Sequence, residues 1–195
     1  MDRELAIMNA NQTLRGYGFT IKKVFCESND KTFYVFTNEI EDALTAKSVL
    51  TRNENAFYYL LIESIVKPFL ESNDDTFNFS EHLAIGITSA NNLARKANIT
   101  IILGEKIIKN WINQYWFQKI DSESKITLGV RTLAQKSGYL IRKYGLSACK
   151  HCSIVCFHGV KCSKCNVCWH EKCLPSNTLT CSSCSSPLLM DQICK

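Results

Sequence analysis

The sequence is poor in the residues that break or stiffen a chain: only 3 prolines and 8 glycines in 195 residues. That excludes collagen-like, proline-rich and low-complexity architectures. No apolar run approaches the roughly 20 residues that cross a bilayer. The longest, Ala56–Ile62, is closed by Glu63. The N-terminus, MDRELAIMNANQTLRGYG, lacks the apolar stretch of about 7–15 residues of a secretory signal. The sequence therefore predicts a soluble, non-secreted protein with no membrane partner. The Asn-x-Ser/Thr triplets at Asn11, Asn78 and Asn98 then read as chance matches. No phosphate-binding loop, Ser-His-Asp arrangement or paired-carboxylate site is present, so no catalytic residue and no organic cofactor is predicted. Gly16-x-Gly18 has no third glycine and no helix after it, so it is not a dinucleotide signature.

Basic runs are also missing. The formal charge is +5, but its lysines and arginines are scattered, with no run of four. Direct nucleic-acid binding gains little support from such a pattern. Histidine and cysteine are nearly absent from the first 148 residues, which hold only His82 and Cys26. The other ten of 11 cysteines fall between Cys149 and Cys194, and three of four histidines between His151 and His170. With 46% apolar and 21% charged residues, the chain reads as a conventional globular body followed by a small cysteine-rich module.

In the body, Leu5–Leu14 is a short helix. Phe19–Phe25 and Thr32–Phe36 form a hairpin across the turn Glu27-Ser-Asn-Asp30. Residues 38–50 are expected to be helical. From Asn53 the spacing of Phe57, Leu60, Leu61, Ser64, Ile65 and Phe69 is helical, with Pro68 and the Glu71–Asp75 stretch ending it. Ser80 serves as N-cap for a short helix through Ile85, and Ser89–Lys96 is another. Gly104–Tyr115 puts Ile107, Ile108, Trp111, Ile112 and Tyr115 on one stripe, read as core packing. Strands Tyr115–Ile120 and Lys125–Leu128 follow, and then a helix Val130–Tyr144 stopped by Gly145. Three helices and then a hairpin describe a winged helix over 53–128. Residues 1–37 look like the end of a second such unit.

In the cysteine-rich module the order is Cys149-x2-Cys152, x9, Cys162-x2-Cys165, x4, His170-x2-Cys173, x7, Cys181-x2-Cys184. A two-residue spacer lets both side chains turn onto one ion, and Zn²⁺ takes four N or S ligands in a tetrahedron. Four such pairs make two closed structural zinc sites. Sequential fingers would join pairs one with two and three with four; a cross-brace would join one with three and two with four. The short x4 favours the cross-brace: Cys149, Cys152, His170 and Cys173 at one site, Cys162, Cys165, Cys181 and Cys184 at the other. Seven thiolates (−7) and two zinc ions (+4) bring the charge of +5 down to +2. Cys156, Cys168, His151 and His158 break the paired spacing and read as non-ligands. Cys194 reads as a free terminal thiol, with Trp169 and Val155 as a minute core. A disulfide framework is disfavoured by the missing signal and the four repeated pairs.

The segment Ile126-Thr-Leu-Gly-Val-Arg-Thr-Leu133, the helix end Lys143-Tyr-Gly145 and this order of ligands resemble the Nse-one family, the first non-SMC element of the structural-maintenance-of-chromosomes five–six complex. The resemblance runs over residues 15–187 and is most specific from 125 to 184. It implies an α+β chain. Tandem winged-helix domains, the first short or incomplete (1–50, then 51–145), precede a cross-brace two-zinc RING-like domain (147–187). Its implied partners are the MAGE-family third non-SMC element, the kleisin-like fourth element, the SMC heterodimer, DNA through the complex, and a ubiquitin-conjugating enzyme. The implied role is DNA repair and homologous recombination in the nucleus. The implied activity is RING-type ubiquitin ligation by positioning a charged conjugating enzyme, stimulated by the MAGE partner.

Three departures bear on that inheritance. The leading helices of the first winged helix are missing, and the loop from Cys173 to Cys181 is brief. His151 and Ser185 stand where RING ligases place an apolar and a basic residue. A non-catalytic zinc module that docks the MAGE partner is therefore the alternative. A PHD-like chromatin reader shares the ligand order, but has an aromatic shortly before the seventh ligand where this chain has Asn177-Thr-Leu-Thr180. DNA binding through Gly104–Tyr115 would rest on Lys106 and Lys109 alone.

Overall fold

The computed structural model describes residues 3–39, 50–72, 77–120, 124–174 and 180–194. The helix expected over 38–50 lies mostly outside these residues, as does the stretch 177–180 on which the chromatin-reader reading turned. None of the described helices is long and apolar enough to cross a membrane.

Helix α1 (Arg3–Leu14) leads through a 3-10 turn and Gly18, in the left-handed conformation, into strands β1 (Phe19–Cys26) and β2 (Lys31–Asn38). The strands pair antiparallel from Phe19↔Asn38 to Cys26↔Lys31. Strand alternation turns Val24, Val35 and Thr37 to one face, which packs on α6 (Val130–Tyr144). Asn11 clamps α1 to the strand edge. Its side chain donates to the Ile21 carbonyl (2.9 Å) and accepts from the Ile21 N–H (2.7 Å). A helix with no buried residue is thus held by a bidentate amide as well as by its ends.

Next comes α2 (Arg52–Glu71), started by a capping box in which Thr51 and Glu54 each bond the other's backbone N–H. The helix ends where the expected Glu71–Asp75 stretch begins, but Pro68 does not itself stop it. The helix continues to Glu71, because a proline in the last turn forfeits only one helical hydrogen bond and Ser72 N–H still closes on the Pro68 carbonyl. The following turn, α3 (Phe79–His82), is capped by Asn78 rather than Ser80. It ends before Ile85, which belongs to a short strand β3 (Ile85–Gly86). Helices α4 (Ile87–Lys96) and α5 (Ile101–Asn113) follow, then β4 (Phe117–Ile120) and β5 (Lys125–Leu128). The sheet order β3-β5-β4 completes a winged helix.

Helix α5 begins three residues earlier than the periodicity predicts, because Thr100 caps it by accepting from the Leu103 N–H. Ile107, Ile108 and Trp111 are buried, as a core stripe requires. Tyr115 is not part of that stripe. It lies past the helix end at φ 62° and is 62% exposed. Gly104 lies where α5 meets α4; a Cβ there would stand 2.5 Å from that of Ala94, so only glycine lets the two helices close.

Around Trp111 the rings of Phe57, Tyr58 and Phe117 lie at centroid distances of 5.5–5.8 Å. The Tyr58 hydroxyl meets Thr132 Oγ1 at 2.8 Å, and Thr132 donates in turn to the Trp116 carbonyl. Burial pushes the Tyr58 phenol above its ordinary range, so it stays neutral and acts as the donor. α6 closes the body and stops at Gly145, left-handed at φ 68°.

Candidate metal centres

The C-terminal unit is a three-stranded sheet in the order β7 (Cys168–Trp169), β6 (His158–Cys162), β8 (Leu188–Ile193). β8 has no counterpart in the sequence reading; its signal, Leu188-Leu-Met, was too short to stand out beside the cysteines. The strand returns the chain end to the sheet, so Cys194 is a free thiol that is wholly buried, not a loose one. The unit also shares the body's core. Ile154, Val155 and Phe157 join it, with Phe157 edge-on to Phe69 at 5.4 Å. Val155 thus belongs to the larger core, while Trp169 packs among the cysteines.

Two groups of four donors form. Cys149, Cys152, His170 and Cys173 converge within 4.8 Å of one another, and so do Cys162, Cys165, Cys181 and Cys184. Pair one thus meets pair three, and pair two meets pair four, which is the interleaved cross-brace. Local geometry explains why each Cys-x2-Cys converges. In all three, the N–H of the residue just after the second cysteine returns to the first cysteine's carbonyl: Ser153 to Cys149 (2.8 Å), Asn166 to Cys162 (3.2 Å) and Ser185 to Cys181 (2.8 Å). Ser153, Asn166 and Ser185 all take positive φ, between 55° and 60°. Backbone N–H groups also point at sulfur: Lys164 and Cys165 at Cys162 Sγ (3.5 Å each), and Ser183 at Cys181 Sγ (3.4 Å).

The donor spacing fits a tetrahedral ion. A metal–sulfur bond of about 2.3 Å gives a sulfur–sulfur edge of about 3.8 Å. The second quartet has Cys162–Cys184 at 3.3 Å and both Cys165–Cys181 and Cys165–Cys184 at 3.6 Å. In the first quartet, His170 Nδ1 is 3.3 Å from Cys152 Sγ and 3.7 Å from Cys173 Sγ. A disulfide needs about 2.05 Å, and every cysteine is free. Within a quartet the thiols hydrogen-bond to one another and shift one another's titration. Hydrogen bonds with Cys152 and Cys173 hold the Cys149 thiol far below the ordinary range, and Cys149 in turn pushes Cys173 up. Bonds from the Ser186 backbone and hydroxyl bring Cys184 down to about 6. A divalent ion would replace the shared protons.

The remaining candidates take other places. His151 is exposed, and His158 stacks on Phe77 at 5.1 Å. Cys156 and Cys168 are buried outside both quartets, with Cys156 Sγ 3.8 Å from Cys194 Sγ. One residue near the first quartet lies in the segment whose sequence predicts only a turn. Glu27, at the end of β1, reaches His170: its Oε1 lies 3.1 Å from Nε2. Nothing in the sequence near Glu27 marks it, since the partner lies 143 positions away.

No protein-family profile and no curated protein matches the sequence. The fold does have a match. Superposed on a chain of a solved Nse1-Nse3-Nse4 complex, it covers 96% of this chain and 80% of that chain, with a TM-score of 0.64 at 20% identity. The two chains share a fold. The aligned part takes in nearly the whole of this chain.

Proposed function

We propose that this chain is an Nse-one-type subunit of an SMC five–six complex, with two structural Zn²⁺ ions at the quartets. The observation that carries this reading is the whole-length fold match combined with the interleaved quartets. Zinc is the natural ion for seven sulfurs and one imidazole in closed tetrahedra. On this reading the chain binds a MAGE-family third element and, with it, the kleisin-like fourth element. It works in DNA repair and recombination in the nucleus. It contributes to ubiquitin transfer by orienting a charged conjugating enzyme, since neither quartet leaves an open coordination position for chemistry.

A second reading, docking of the MAGE partner without ligation, is favoured by the exposed His151 and Ser185 at the positions expected to touch the conjugating enzyme. Ser185 is also held in the left-handed conformation by its knuckle. One experiment separates them. Purified chain and MAGE partner are co-expressed as wild type and as Cys162→Ser/Cys165→Ser, and pull-down and ubiquitin-chain formation are both measured. Complex formation with chain synthesis, both lost in the variant, supports ligation. Complex formation without chains, beside a working control ligase, leaves docking. No complex with the wild type contradicts both.

A further inference from the structure

Glu27 has surroundings that a turn residue does not need. Its side chain is 8% exposed. It accepts from the backbone N–H of Phe157 (3.1 Å) and of His158 (3.2 Å), and it faces His170 Nε2. Nε2 also lies 3.0 Å from the Val155 carbonyl. A carboxylate and a carbonyl only accept, so Nε2 must carry a proton. In the neutral imidazole that a metal requires, the lone pair is then on Nδ1, the atom that faces Cys152 and Cys173. Val155 is itself fixed, because its N–H donates to Ser137 of α6. A T-shaped contact between Phe25 and the His170 ring at 5.7 Å adds a second tie from the same hairpin.

We infer that Glu27 is a positioning residue for the first metal site: from the hairpin it fixes the His170 ring with Nδ1 toward the three sulfurs, and so links metal occupancy of that site to the seating of the hairpin on the C-terminal unit. Partners in this outer position orient a ligating histidine and raise its basicity, and their loss typically costs 10–100-fold in metal affinity. Linkage is reciprocal, so metal at the first site also holds the hairpin. The second quartet has no such tie to the body among the described residues. The two sites are therefore unequal although their ligand spacing is alike.

The inference rests on the metal reading proposed above, and its test keeps the two apart. Full-length wild type and Glu27→Gln are loaded with Co²⁺ and titrated with a competing chelator while absorption bands are followed. Gln keeps the shape but removes the charge and puts a donor amide among three N–H groups. The expected result is two equivalents in wild type, with one of them, of three-sulfur, one-nitrogen character, released at 10–100-fold lower chelator in the variant. The four-sulfur site is unchanged. A second measurement needs no variant: on metal removal from wild type, amide exchange in 19–38 accelerates. Unchanged affinities in Glu27→Gln, equal weakening of both sites, or exchange in 19–38 that ignores metal would overturn the inference. Failure of wild type to take up any metal would instead defeat the metal reading itself.

Discussion

On the proposed two-zinc reading, a chelator should unfold the C-terminal sheet while the winged helix keeps its helices. Apart from the residues it lends to the body's core, the buried interior of that unit is Trp169 with Cys149, Cys156, Cys162, Cys168, Cys181 and Cys194, with little aliphatic material beyond Val160 and the half-buried Val167, Leu174 and Leu188. Such an interior cannot offset the entropy of ordering its backbone, which is about 1–2 kcal/mol per residue. On that reading metal binding supplies the difference, on the order of 10–16 kcal/mol per structural site. Amide protection over 158–162 and 188–193 should therefore vanish with chelator, whereas far-ultraviolet circular dichroism should fall only modestly, since α2, α4, α5 and α6 carry no metal ligand. Thermal stability of the body should still drop, because Ile154, Val155 and Phe157 leave its core. Hydrogen exchange with mass spectrometry reads both effects. A sheet whose protection ignores chelator would show that packing alone holds it.

Replacing Trp111 should be the most damaging change in the body. Its side chain is 2% exposed and sits among Phe57, Tyr58 and Phe117, joining α5 to α2 and β4. Truncation to alanine removes the ring and leaves a cavity that three rigid aromatic neighbours cannot collapse to fill. The cost expected from such core truncations is about 3–5 kcal/mol, a large share of the roughly 5–15 kcal/mol that holds a typical domain folded. Urea denaturation of Trp111→Ala should show a midpoint lowered to match, with an unchanged slope if the native state stays compact. A loss below about 1 kcal/mol would mean that the stripe on α5 is not the core it resembles.

How far the sequence carried depended on whether the deciding interaction was local. The order of the Cys and His pairs and the x4 spacer pointed to which side chains gather in two groups, and the convergence within each pair is local, because a two-residue spacer acts within one turn of chain. The hairpin was legible from its β-branched and aromatic runs and its polar turn, and α6 from periodicity and Gly145. The errors were also local and small. Pro68 sits in a last turn where its cost is slight, Asn78 outcompetes Ser80 as a cap, and Thr100 draws the start of α5 forward. What could not be read was contact at long range. β3 is two residues long and exists only because it pairs with β5. β8 exists because it pairs with β6. Glu27 carries no local mark of its link to His170.

The interleaved pair of metal sites is tested most directly by X-ray absorption at the zinc edge of the folded full-length protein, with elemental analysis on the same sample. Two zinc ions per chain, sharing seven sulfur ligands and one nitrogen ligand at about 2.3 and 2.0 Å, is the expected result. Fewer than two ions in folded protein, or sulfur neighbours at the roughly 2.05 Å of a disulfide, would contradict it.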